Sequence, residues 1–156
     1  MKRPLALVLL LAACSTEADI EPQSGAWSYN GSTLVMSSCG DDPPTDAVGG
    51  FTLTVTGPGK FTVNDNTFTN PFECSYEGDS FTCPKRLADS NKPVDSLDAT
   101  VSYNVSITGT LDSEMALSGT QTVDVSCEGT GCALSGPLLG FELPCNYSYK
   151  FTADAT

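Results

Sequence analysis

From residue 26 onward, apolar side chains recur at every second position, the period of a half-buried strand rather than of a helix. Phe51, Leu53 and Val55 alternate with Thr52, Thr54 and Thr56, and Gly57-Pro58-Gly59 then turns the chain into Phe61 and Val63. In 72–83, a two-residue turn at Gly78-Asp79 sets Glu77 opposite Ser80, Tyr76 opposite Phe81 and Cys74 opposite Cys83. Val101, Tyr103, Val105 and Ile107 share one face, and Met115, Leu117, Val123 and Val125 share the facing side of the return strand. The chain closes on Cys145, Tyr147, Tyr149 and Phe151 alternating with Asn146, Ser148 and Lys150. Trp27 and Tyr29 share a face of the first run, where Asn30-Gly31 marks a hairpin turn or a bulge in one long strand. Residues 39–50 read as a surface loop and 84–98 as a polar connector.

The pattern predicts strands near 26–37, 51–56, 60–64, 72–77, 80–84, 99–109, 115–126 and 144–153. The expected fold is all-β: a small antiparallel up-and-down barrel of these eight strands, with a two-sheet sandwich as the alternative. Residues 25–156 form one domain.

Seven cysteines would leave one unpaired in an oxidising compartment. Cys74 and Cys83 face each other across the hairpin and lie within disulfide reach. Cys127 and Cys132 flank a glycine-containing stretch that can close on itself. Cys39 follows the first strand and Cys145 opens the last, so they meet if those two strands run antiparallel side by side. Cys14 is then the odd one.

The context of Cys14 is specific. Lys2 and Arg3 precede the apolar run from Pro4 to Ala13, which has the layout of a signal peptide and is too short to span a bilayer. Its end, Leu11-Ala12-Ala13-Cys14, resembles the lipobox of bacterial lipoproteins. The resemblance implies cleavage after residue 13, a diacylglyceryl group on Cys14 and export to the cell envelope. Ser15, in place of an aspartate, implies the outer membrane. Two acyl chains anchor stably where one is marginal. Residues 14–24 then read as the lipidated cysteine and a polar, acidic tether, with a reach of roughly 17 Å for ten flexible residues.

Loss of the leader removes Lys2 and Arg3, leaving five basic residues against nineteen acidic and a net charge of −14. Such a surface disfavours nucleic acid as a partner. The chain has no histidine, which excludes Ser-His-Asp and Cys-His machinery and histidine zinc sites. No motif marks a Ser-Lys pair. Paired carboxylates could serve a hydrolase, and Asp41, Asp42 and Asp46 in one loop and Asn64, Asp65 and Asn66 in another are oxygen-rich calcium candidates without EF-hand spacing. No cofactor is expected.

Gly25-Ala26-Trp27 at the start of the first strand resembles the Gly-x-Trp signature of lipocalins. That resemblance implies a Trp closing one end of a barrel whose other end takes an apolar ligand. The Thr-Asp-Tyr and late Arg motifs of that family are missing, and its C-terminal helix is not expected. Three functions follow in order: an envelope-anchored, non-catalytic binding or structural module; a lipocalin-like carrier of a small apolar ligand; and a carboxylate-based hydrolase. The expected partners are the membrane, through the lipid, and a protein or small apolar ligand.

Overall fold

The computed structural model describes residues 20–40, 48–65, 70–93, 95–140 and 142–156. Its strands are β1 (Gly25–Ser37), β2 (Gly50–Gly57), β3 (Lys60–Asp65), β4 (Phe72–Glu77), β5 (Ser80–Asn91), β6 (Thr100–Ser113), β7 (Ala116–Glu128) and β8 (Cys145–Ala155), with one helix, α1 (Cys132–Leu139), before the last strand. They form a closed eight-stranded barrel in sequence order, every neighbouring pair antiparallel. The barrel, not the sandwich, is the architecture. Connections that alternate between two ends place the short turns at 58–59, 78–79 and 114–115 at one end, here called the closed end, and the longer loops at the other.

β1 runs along β8 from Trp27, opposite Ala155, to Ser37, opposite Tyr147. It pairs with β2 only over Gly25–Ser28. Asn30-Gly31 resolves into a bulge, since the β1–β8 register shifts between Tyr29 and Gly31. The three disulfides join Cys39 to Cys145, Cys74 to Cys83 and Cys127 to Cys132, with Cα separations of 5.1, 4.1 and 5.8 Å. Cys39–Cys145 ties positions 106 apart in sequence, a closure worth about 4.7 kcal/mol on the chain-entropy model.

Four local expectations are corrected. The stretch 84–98 is not all connector, because β5 continues to Asn91. Pro84 and Lys85 sit in a bulge between Cys83, opposite Ile107, and Arg86, opposite Val105, and a bulge tolerates a residue without an N–H. Met115 lies in the β6–β7 turn and is exposed, outside the apolar face assigned to the return strand. The helix α1 was not expected because Gly136 and Pro137 interrupt its pattern; Gly140, in the left-handed region at φ 84°, ends it by donating to the Gly136 carbonyl. Finally, the last part of the expected tether is packed. Gln23 donates its N–H to the Glu114 carbonyl, the Ser24 hydroxyl accepts from Val55 N–H, and Pro22 is buried.

Inward positions from all eight strands fill the barrel. Trp27, Leu53, Phe61, Phe72, Val105, Leu111, Val123 and Tyr147 are all at most 1% exposed. Trp27 stacks on Phe51 and donates its Nε1–H to the Gln23 carbonyl at 2.9 Å, so its polar edge is satisfied where it is buried.

One interior row carries glycine. Ser32, Phe151, Gly119, Gly109 and Phe81 lie directly opposite one another across five consecutive strands. A Cβ on Gly109 would press on the Ser118 carbonyl and lie 2.7 Å from the Phe81 ring; one on Gly119 would lie 2.9 Å from the Phe151 ring. The two rings therefore cover the glycines in place of side chains. Gly109→Ala is expected to destabilise the fold by about 1–3 kcal/mol through overpacking, whereas Gly31→Ala, with no atom within 4 Å of its added Cβ, should cost less. Urea unfolding of both variants checks the difference.

Candidate functional site

Among the described residues, three regions with polar chemistry stand out, two set by the alternation of the strands and one by a loop at the rim. The first is inside the barrel. Asp65 ends β3 with its side chain turned inward at 3% exposure, and Tyr29 Oη donates to its Oδ2 at 3.4 Å. Arg86 lies over the Phe72 ring, 3.8 Å from the centroid, and donates to the carbonyls of Leu87 and Asn70. Burial lowers the Arg86 pKa, and the negative charge of Asp65 partly offsets that. The Arg86 guanidinium is thus part-buried against one aromatic ring and within electrostatic reach of the buried Asp65. Gln121, at 1% exposure between Tyr149 and Ile107, has no hydrogen-bond partner for its Nε2 among the described residues.

The second region is the rim of the open end. There Asp98 reaches the Cys127–Cys132 loop: Thr130 donates its backbone N–H and its hydroxyl to the Asp98 carboxylate at 3.1 and 2.8 Å, and Gly131 N–H donates to the Asp98 carbonyl. The bonds from Thr130 favour the ionised carboxylate and hold its pKa below the usual aspartate value.

The third is a trough on the outer flank, with a volume near 860 Å³. It crosses β5, β6, β7, β8 and β1 on the reverse side of the glycine–phenylalanine row. Two rows of outward positions floor it. One runs Ser80, Thr110, Ser118, Thr152 and Gly31; the other runs Thr82, Thr108, Thr120, Lys150 and Thr33. Among the described residues, Lys150 is the one charged residue in its lining. Thr110 Oγ1 donates to Asp112 at 3.2 Å and lies 3.0 Å from Ser118 Oγ, and Ser80 Oγ donates to Asp79 at 3.2 Å. Asp154, bonded by Asn30 Nδ2 at 2.7 Å, continues the same closed-end margin. Beyond the second row, Lys85 and Asp124 pair at 2.8 Å, an exposed contact that contributes little stability.

The residues singled out from sequence are distributed differently. Cys14 lies outside the described residues, as do Asp41, Asp42, Asp46 and Asn66. Asp65 is drawn away from its neighbour Asn64 into the barrel interior, and among the described residues no group of three or more histidines, cysteines, aspartates and glutamates is placed to hold a metal ion. Trp27 is in the core near the closed end. The trough was visible in sequence only as the polar half of each alternation. The register that stacks Ser and Thr at 108, 110, 118, 120 and 152 into rows is not a local property.

No known protein family, curated protein or solved structure matches this chain.

The Asp98–Thr130 contact has a direct reading in solution. The Thr130 amide proton shift should titrate with a midpoint below the ordinary aspartate value of 3.8. Because the folded pKa is depressed, whatever stability the contact gives is present above the unfolded carboxylate's pKa and is lost as pH falls through the lower folded value. An NMR pH titration checks it, and Asp98→Asn should abolish the transition.

Proposed function

We propose that this chain is a lipoprotein of the bacterial cell envelope, anchored by an acylated Cys14 and consistent with outer-membrane sorting by Ser15, whose barrel binds a partner rather than catalysing a reaction. The observation that carries the reading is cysteine pairing. All six cysteines of the barrel are consumed in three disulfides, and the seventh is the one that follows Leu11-Ala12-Ala13. Disulfides belong to an exported, oxidised protein, and a lipid thioether removes the remaining thiol.

The entry of the chain supports the same arrangement. Ile20–Ser24 packs at the closed end, and the six peptide steps from Cys14 to Ile20 reach at most about 22 Å fully extended. The anchor would hold the closed end near the bilayer and turn the open rim outward. Binding is preferred to catalysis because the chain lacks histidine and the trough lining contains no carboxylate. A lipocalin-like carrier is a weaker reading, since large side chains from every strand pack the interior.

Metabolic labelling with a fatty acid in a bacterial host tests the anchor. Label should co-migrate with the wild-type protein in the membrane fraction, and Cys14→Ala should lose both label and membrane association. An unlabelled wild-type protein released in soluble form would overturn the reading.

A further inference from the structure

We infer that the outer trough is a binding site for a neutral, linear polysaccharide chain. The inference deepens the binding-module reading and rests on it, but not on the lipid anchor.

The shape comes first. Five strands at the usual spacing make the trough about 19 Å long across the strands, while its two hydroxyl rows are separated by one step of alternation. It is therefore an elongated, open face, long enough for several pyranose units, with hydroxyl groups repeating at the strand spacing. That repeat is comparable to the length of one sugar residue. A periodic receptor face suits a periodic ligand.

The hydrogen-bonding character differs between the rows. On the closed-end row, Ser80 and Thr110 donate to Asp79 and Asp112, which leaves their oxygens as acceptors toward the trough. Ser118 shares its bond with Thr110. On the other row, the hydroxyls of Thr82, Thr108 and Thr120 carry no side-chain hydrogen bond among the described residues and can donate or accept. Lys150 adds a donor. Every sugar hydroxyl can both donate and accept, so a glycan lying along the trough can donate to the closed-end row and bond in either sense with the other.

Charge selects within that class. The margin carries Asp79, Asp112 and Asp154, in a protein with a formal net charge of −12. A polyanionic glycan would meet this margin with only Lys150 to offset it. A neutral glycan would instead find carboxylate acceptors at the edge and keep its hydroxyls bonded throughout.

The test is calorimetric titration of the full-length protein, held in a sugar-free detergent. The probes are cellohexaose and laminarihexaose as neutral chains, with a galacturonic acid oligomer as the acidic one. Saturable binding of a neutral chain, tighter than that of the acidic oligomer, is expected. The double variant Thr108→Val, Thr120→Val keeps β-branched side chains and should bind about tenfold more weakly, the loss expected for two modest hydrogen bonds. Ser126→Ala, on the outer face of β7 beyond the trough, should bind as wild type. Circular dichroism and non-reducing gels establish that each variant is folded and oxidised. No saturable binding of either neutral chain, tighter binding of the acidic oligomer, or equal affinity in the Thr→Val variant would overturn the inference. Any of these would leave the Cys14 labelling result standing, so the two readings fail separately.

Discussion

The seam where β1 lies along β8 turns a sheet into a barrel, and most of the remaining structure depends on it. Without that pairing, both strands would expose long edges of unsatisfied backbone groups. With it, inward positions of all eight strands face one another and become a core. β1 achieves this over a long span only by absorbing two irregularities, between Tyr29 and Gly31 and between Leu34 and Met36. These let a thirteen-residue strand follow its curved neighbour. The Cys39–Cys145 bond lies at the open end of the same seam, where the covalent link and the hydrogen-bonded ladder constrain the same pair of strands.

The glycine–phenylalanine row connects the core to the surface. Phe81 and Phe151 need room inside, and Gly109 and Gly119 supply it by having no side chain. The outer trough lies over those backbones, so the inner packing and the hydroxyl rows on the outer flank are two faces of one part of the sheet. A residue with a Cβ at either glycine would disturb both.

Much of this arrangement was legible in the sequence where one physical rule acted alone. Period-two alternation found the strands, and two-residue turn geometry set the β4–β5 register, with Tyr76 opposite Phe81. Cysteine placement led to the same three pairs that the structure contains. Legibility failed where rules competed. Pro84 reads as a break until a bulge accommodates it within β5. A helix holding Gly136 and Pro137 has no local signature strong enough to outweigh them. Asp65 reads as part of a polar loop, yet its place at the end of an alternating strand sends it inward beside Tyr29 and Arg86. The trough was hidden for another reason, since it exists only once five separate segments are in register.

The functional reading follows from the same closure. The barrel interior is filled by its own side chains, so the proposed binding is assigned to the outer flank, and the proposed anchor at Cys14 would lie toward the closed end. All of this requires that β1 and β8 pair. The most direct test is a NOESY spectrum of the oxidised protein. Cross-strand backbone contacts are expected between Tyr29 and Ala153 and between Leu34 and Tyr149, together with those between Trp27 and Phe51 on the other side of β1. Contacts from β1 to β2 without any to β8 would describe an open sheet and contradict the account.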